Sequence, residues 1–182
     1  LEGKVTMLTI SGGWIAVASS QPGQRGTLRL SGGGRDKWPE MAKKPGLQGH
    51  TDSIHALAFR PDNHVIASSG YDRVIKLWDV ETGNHLRDLK DHSDAVYGLC
   101  FSPDGKLLAS AGADRAVKVW DVATGIRLYT LGESTDWVYA VAWHPEGKSL
   151  AAAGVDRSIR VWEVTREGGT VLHSVFAHEG PV

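Results

Sequence analysis

The sequence contains serine, histidine and aspartate residues in a combination that could catalyse nucleophilic hydrolysis. In a hydrolase of this kind, the aspartate orients the histidine and the histidine activates the serine. Two sets with identical internal spacing occur 42 residues apart: His50, Ser68, Asp72 and His92, Ser110, Asp114. An enzyme needs one nucleophile in one pocket, so the duplication argues against catalysis. We therefore expect no catalytic residue in either set.

A nine-residue stretch recurs with the same step along the chain. It occupies residues 71–79, 113–121 and 155–163, and in each copy a Trp is followed by Asp or Glu. A fixed period of about 40–45 residues with a Trp-Asp ending indicates the blades of a β-propeller. On these residues the chain resembles the WD-repeat family, strongly over 50–178 and weakly over the first 49.

The resemblance implies a role for the serine, histidine and aspartate sets. In WD repeats, Trp, Ser, His and Asp form a hydrogen-bonded chain called the structural tetrad. Such a chain is chemically consistent. An indole N–H only donates a hydrogen bond, a hydroxyl or an imidazole both donates and accepts, and a carboxylate accepts. The positions that match are His50, Ser68, Asp72, Trp78, His92, Ser110, Asp114, Trp120, Asp156 and Trp162. The last unit has Ser134 for His and Ala152 for Ser, so we expect packing to hold it.

The segments between the repeated stretches predict an all-β fold. Short β-rich runs alternate with turns such as Ser102-Pro103-Asp104-Gly105, which is typical of antiparallel strands. We predict a β-propeller of four-stranded blades with almost no helix, forming a single region over 1–182. Its four units are 1–49, 50–91, 92–133 and 134–182. The first is degenerate, with Ser31 in place of Trp and a long outer loop over 32–44.

The third strand of each unit is apolar on both faces, as a sheet packed between two neighbours requires. One position on this strand is always basic: Lys76, Lys118 or Arg160. We expect these side chains to lay their alkyl stems over apolar surface and to point their charged heads outward.

Composition excludes several classes of function. The net charge of −1 gives no field to recruit nucleic acid or an acidic membrane. No apolar run approaches the roughly 20 residues of a membrane span. The single Cys100 excludes an intrachain disulfide, and none of the eight histidines has a recognised metal-ligand spacing. We expect no metal or cofactor, and a soluble protein for which the cytoplasm is favoured.

Surface residues provide the remaining chemistry. In WD-repeat proteins, partners dock on the face that carries the loop before the first strand and the loop before the tetrad Asp. The aromatic or imidazole residues at those positions are His55, Tyr71, Tyr97, Trp137 and Tyr139, and the neighbouring basic residues are Arg73, Arg115 and Arg157. Such side chains anchor protein interfaces. The alternatives are that the aromatics are half-buried packing at the rim and that the arginines bridge adjacent blades.

Two functions are consistent with this sequence. The first is a non-catalytic scaffold that binds a protein or peptide on the aromatic face. The second is a regulatory or targeting module of a larger protein whose activity lies elsewhere. Four blades would form an open arc with apolar end faces. We therefore also expect either further blades of a longer parent chain or a head-to-tail homodimer.

Overall fold

The computed structural model describes residues 4–20, 25–32, 47–132, 134–177 and 179. Every regular element in this part of the chain is a β-strand, in agreement with the predicted all-β class. The strands are β1 Lys4–Ser11, β2 Trp14–Ser20, β3 Thr27–Gly32, β4 Ile54–Phe59, β5 Val65–Gly70, β6 Val74–Asp79, β7 His85–Lys90, β8 Val96–Phe101, β9 Leu107–Gly112, β10 Val117–Asp121, β11 Arg127–Leu131, β12 Val138–Trp143, β13 Ser149–Gly154, β14 Ser158–Val164 and β15 Gly169–Phe176.

The strands form four antiparallel sheets in chain order. The first contains β1–β3, the second β4–β7, the third β8–β11 and the fourth β12–β15. Within each sheet, every strand pairs with the next one along the chain, so the connections are short turns. The turns after β4, β8 and β12 place Asn63, Gly105 and Gly147 at positive φ, where Asn and Gly are the most readily accommodated residues.

Adjacent sheets pack face to face through apolar side chains. Ile75 and Leu77 of the second sheet share a core with Leu108 and Trp120 of the third. The same pattern recurs one sheet later, where Val119 packs in a core with Trp162. Because alternate residues of a strand point to opposite faces, each inner sheet contributes to two cores.

The first strands of the sheets, β1, β4, β8 and β12, lie side by side in that order. The sheets therefore follow one another as blades around an inner edge, and the arc they form is not closed into a ring. This arrangement confirms the predicted propeller fold.

The first sheet differs from the prediction of four strands per unit. In the described residues it has three strands, and its outer position is marked by a single bridge between Leu28 and Leu47. Gly32, expected to begin the long loop, is the last residue of β3. The remainder of that predicted loop, 33–44, lies outside the described residues. Ser31 is buried at the position that Trp occupies in the other sheets.

The expectation for the basic residues of the third strands was wrong. Lys76, Lys118 and Arg160 are each at most 8% exposed, and their charged heads form ion pairs inside the protein. Lys76 Nζ lies 2.7 Å from Asp88 Oδ1 on the neighbouring strand β7. The prediction failed because the pairing carboxylates come from other elements, and a strand pattern alone does not reveal them.

Candidate functional site

The second and third sheets each contain a hydrogen-bonded chain of four side chains. In the second, Trp78 Nε1 donates to Ser68 Oγ at 2.8 Å. Ser68 Oγ lies 2.7 Å from His50 Nε2, and His50 Nδ1 lies 2.8 Å from Asp72 Oδ2. The third sheet has the same four residue types, with the same three distances, through its own members: Trp120, Ser110, His92 and Asp114. The structure thus brings together the residues that the resemblance grouped as tetrads.

The direction of each hydrogen bond follows from the ionisation of the aspartate. Burial alone would raise the pKa of the Asp72 carboxyl, but the hydrogen bond and charge of His50 outweigh burial and lower it. Backbone amides of Thr51 (3.0 Å) and Val74 (3.2 Å) donate to the same carboxylate. Since an ionised carboxylate only accepts hydrogen bonds, His50 donates to Asp72 from Nδ1, and its Nε2 is hydrogen-bonded to the Ser68 hydroxyl.

These chains are unsuitable for nucleophilic catalysis despite their order of Asp, His and Ser. Ser68 and Ser110 are fully buried, and each hydroxyl oxygen already accepts a hydrogen bond from an indole. A substrate carbonyl cannot reach an oxygen enclosed in this way. The geometry instead ties the inner strands of each sheet to the loop that enters it.

The fourth sheet holds its aspartate by a different side chain. Arg160 Nη1 donates to Asp156 Oδ2 at 2.6 Å, and both side chains are at least 90% buried. Burial would raise the pKa of Asp156, but the hydrogen bond from Arg160 outweighs it and lowers the pKa. The expectation that packing would mainly hold this sheet did not include this ion pair. The substitution is imperfect, because Arg160 Nε is buried and has no hydrogen-bond partner among the described residues.

The turn before the third strand places an arginine at an unusual backbone angle. Arg73, Arg115 and Arg157 have φ values of 65°, 64° and 64°. Each is the third residue of the three- or four-residue loop between the second and third strands, and such an angle is usually taken by glycine. An L side chain at such an angle costs about 1 kcal/mol. Three repetitions of this strain indicate that the arginine side chain has a use.

Two of these arginines contact the segment that follows their own sheet. Arg157 Nη1 donates to the carbonyl of Glu179 at 3.0 Å, and Arg73 Nη1 lies 3.5 Å from the carbonyl of Ser93. Arg115 forms no such bond to the described residues and is exposed. Arg73 thus reaches the loop that leads to the third sheet, and Arg157 reaches the segment after the fourth.

The first strands of the second, third and fourth sheets each contain a β-bulge at a predicted binding residue. The pairing register shifts between Ile54 and Ala56, between Val96 and Gly98, and between Val138 and Ala140. The extra residues are His55, Tyr97 and Tyr139. A bulge re-aims a side chain away from the regular alternation of a strand. The first sheet has the same bulge, but its extra residue is Thr6.

The bulged residues and two neighbours form one aromatic cluster, which we call the aromatic depression. Its lining is His55, Tyr71, Tyr97, Trp137 and Tyr139, and it encloses about 380 Å³. Tyr97 is central, with ring centroids 5.1 Å from Tyr139, 5.7 Å from His55, 6.1 Å from Tyr71 and 6.3 Å from Trp137. The five aromatic residues predicted from the sequence are those that line it, and none of the three arginines does.

The residues at the rim of the depression are exposed, and those at its base are partly buried. Tyr71 is 49% exposed, Trp137 44% and Tyr139 38%, whereas His55 and Tyr97 are partly buried. Burial raises the pKa of Tyr97 to about 12, with a further contribution from the neighbouring Tyr71. Burial also lowers the pKa of His55, against the opposing charge of Asp52, so its ring is neutral at pH 7.

Three carboxylates beside the depression escaped the sequence analysis. Asp52, Asp94 and Asp136 each stand three residues before a bulged aromatic residue and accept the backbone amide of the following residue at 2.6–2.8 Å. Their common step of 42 residues was a signal that could have revealed them. Without knowledge of the bulge, nothing connected these residues to the aromatic positions.

Other kinds of site find no support in the described residues. Among them, no three His, Cys, Asp or Glu side chains gather in a way that could hold a metal ion. The part of the chain that the structure covers also has no helix of the length and apolar character needed to cross a membrane.

The four blade-like sheets and the repeated hydrogen-bonded chains define a WD-repeat propeller. The family model described as "WD domain, G-beta repeat" matches residues 43–79, 83–121 and 125–163, which is more than half of the chain. The chain therefore belongs to this family. The second and third matched ranges each begin just before the outer strand of one sheet and end in the third strand of the next. One repeat in the sequence therefore contains strands from two neighbouring sheets.

Relatives match over a single repeat. A "Probable E3 ubiquitin ligase complex SCF subunit sconB" of Arthroderma benhamiae is 42% identical over 43 residues, which are 24% of this chain and 6% of the relative. An "Uncharacterized WD repeat-containing protein sll1491" of Synechocystis sp. is 46% identical over 46 residues, or 25% of this chain and 13% of the relative. The matched part of the chain thus spans a small fraction of these proteins' length.

Proposed function

We propose that this chain is a non-catalytic scaffold that binds a protein or peptide in the aromatic depression. The observation that carries the proposal is the convergence of five aromatic side chains from three sheets on one opening. Tyr and Trp are enriched where protein interfaces are anchored. Membership of the WD-repeat family supports a role in protein interaction in general terms.

In this proposal the bulged residues bind the partner, and the tetrads stabilise the sheets that carry them. Three of the aromatic residues are bulged, so they leave the regular packing of their strands and turn to the depression. The tetrads lie beneath them and hold the turns that carry Tyr71 and Arg73. A rigid base below an exposed aromatic rim reduces the entropy lost on binding.

The test is affinity enrichment from cell extract with the full chain and two double variants. The Tyr97→Ala/Trp137→Ala variant removes the centre and one edge of the depression. The control, Leu86→Ala/Ile126→Ala, removes two exposed apolar side chains from the second and third sheets outside the depression. We expect the wild type and the control to retain the same proteins and the first variant to lose them. Retention by the first variant would place docking elsewhere.

A second candidate function is a targeting module within a larger protein. It is favoured by the relatives, in which the matched repeat is a small part of a much longer chain. The measurement is mass spectrometry of the endogenous protein that contains these residues. Peptides from one continuous longer product support the module, whereas a product of 19.6 kDa contradicts it.

The two end sheets expose apolar side chains that need a cover. Leu8 and Ile10 are 52% and 64% exposed on the first sheet, and Val175 and Phe176 are 55% and 65% exposed on the last strand of the fourth. We propose that further blades of the same protein or a head-to-tail second copy cover them. In sedimentation, a dimer that resists dilution supports the second copy and aggregation supports further blades. A stable, soluble monomer would contradict both.

A further inference from the structure

We infer that the aromatic depression binds a trimethylated lysine side chain of the partner protein. The inference rests on the proposed function and adds the chemistry of the ligand. It follows from the ring geometry of the depression, from the composition of its lining and from the carboxylates beside it.

The rings are arranged so that a guest meets an aromatic face. His55, Tyr71 and Tyr97 stand nearly perpendicular to one another, with interplanar angles of 89°, 87° and 85°. Three mutually perpendicular planes cannot all point their edges in the same direction. From any direction of approach at least one of these rings is therefore not edge-on, and ring faces attract cations whose centre lies within about 6 Å of the ring centroid.

The lining favours a methylated ammonium over other cations. All five lining side chains are aromatic, and none is a carboxylate that could replace the hydration of a primary ammonium or a guanidinium. The acceptors in the lining are neutral, namely the three tyrosine hydroxyls and the His55 ring, and they replace the hydration of a charged N–H group only in part. A quaternary ammonium has no N–H groups to satisfy, so it gains the attraction of the rings and loses little hydration.

The surrounding charge has the sign that such a ligand requires. Asp52, Asp94 and Asp136 each lie three residues before one of the bulged aromatics, and Asp52 and Asp94 act electrostatically on His55 and Tyr97. Each of the three carboxylates is fixed by a backbone amide. The positive charges of Arg73, Arg115 and Arg157 lie outside the depression, because none of these side chains lines it.

The experiment uses the full chain and three peptides of glycine and serine that differ only in the central residue. This residue is trimethyllysine, its neutral isostere with a tert-butyl group, or unmodified lysine. Affinities are measured by isothermal titration calorimetry. We expect the trimethyllysine peptide to bind on the order of ten-fold more tightly than the neutral isostere. Equal affinities for the two would overturn the inference, because the depression would then recognise apolar shape alone.

Variants separate the aromatic and carboxylate contributions. Tyr139→Phe keeps the ring and should retain binding, whereas Trp137→Ala should weaken it at least ten-fold. Changing Asp52, Asp94 and Asp136 together to Asn keeps an oxygen for each backbone amide but removes the charge. This triple variant should lose affinity for trimethyllysine and keep whatever affinity it has for the isostere. Unchanged trimethyllysine binding in the triple variant would contradict the role of the carboxylates.

Two further outcomes are informative. Phosphatidylcholine vesicles carry the same quaternary ammonium, and binding to vesicles without binding to the peptide would overturn the assignment to a protein side chain. Failure of every peptide, together with enrichment of proteins that depends on Tyr97 and Trp137, would overturn this inference and leave the proposed function standing.

Discussion

The third and fourth sheets have the same strand order but hold the tetrad aspartate by different side chains. In the third, His92 lies between Asp114 and a buried serine. In the fourth, Ser134 occupies the histidine position and Arg160 reaches Asp156 directly from the third strand. The basic residue of that strand thus replaces the imidazole as the partner of the carboxylate.

The comparison shows which part of the repeat is constant. Asp114 accepts backbone amides from Ser93 and Ala116, and Asp156 accepts amides at the equivalent positions, from Thr135 and Ser158. An ionised carboxylate that ties the entering loop to the turn is common to both sheets. The positive or polar partner beside it is exchangeable, provided that it reaches the buried carboxylate.

The exchange has a cost in the fourth sheet. Ala152 provides no hydroxyl to Trp162, and Arg160 Nε is buried with no partner in the part of the chain that the structure covers. An unsatisfied buried polar atom is destabilising by about 1–3 kcal/mol. We therefore expect the fourth sheet to be the less stable of the two, and the following predictions test the difference in order of decreasing effect.

The largest effect is expected at the tryptophan that begins the hydrogen-bonded chain. Trp120→Ala should lower the free energy of unfolding by about 3–5 kcal/mol, because it removes a fully buried indole from the core between two sheets. Ser31→Ala, at the matching position of the first sheet, should cost almost nothing. Chemical denaturation measures both, and equal losses would refute the alignment of the first sheet with the others.

Removal of the partner of each aspartate should have a similar effect in both sheets. His92→Ala and Arg160→Met should each cost about 1–3 kcal/mol, because each removes the side-chain hydrogen bond to a buried carboxylate. After His92→Ala, Asp114 keeps the ion pair with Lys118 Nζ at 3.5 Å. Arg127→Met is the control, since its ion pair with Asp91 is exposed and should contribute less than about 1 kcal/mol. If Arg160→Met behaved like the control, the replacement of imidazole by guanidinium would be refuted.

Acid should destabilise both sheets through their aspartates. The pKa values of Asp114 and Asp156 are lowered in the folded protein, so the unfolded chain binds protons more readily. The stabilisation is complete above the unfolded pKa of about 4 and is lost as the pH falls through the folded values. Arg160→Met should reduce this loss because it returns the pKa of Asp156 toward its usual range. Urea unfolding at pH 7 and at lower pH measures the difference, and identical pH slopes would contradict it.

The smallest effect is expected from restoring the histidine alone. Ser134→His should raise the free energy of unfolding by less than about 0.5 kcal/mol. Asp156 already accepts a hydrogen bond from Arg160, and Ala152 provides no hydroxyl that could bond to the new imidazole. A gain as large as the loss caused by His92→Ala would show that Arg160 is not the partner that the geometry indicates.

The sequence predicted the parts that depend on local chemistry. The step between Trp78, Trp120 and Trp162 indicated repeated sheets, because each unit has the same turn residues at the same offsets. Turn preferences are set by a few adjacent residues and need no knowledge of the rest of the fold. The aromatic residues of the depression could be listed because the resemblance to WD-repeat proteins identifies the loop positions where partners dock, and those positions recur at fixed offsets in the repeat.

The parts that escaped prediction depend on contacts between elements. The charged heads of Lys76, Lys118 and Arg160 turn inward because Asp88, Asp91 and Asp156 lie within reach in space. The bulges were missed as well, because the register between two strands is not written in either strand alone. The carboxylates beside the depression gained meaning only once the bulged residues were known.

The central claim is that buried tryptophans hold the fold and exposed aromatics bind the partner. The most direct test measures both properties of Trp137→Ala, with Trp120→Ala as the reference for loss of stability. For Trp137→Ala we predict a change in unfolding free energy below about 1.5 kcal/mol, since the side chain is 44% exposed, and loss of the proteins that the wild type retains. Full retention of those proteins by a folded Trp137→Ala variant would contradict the account.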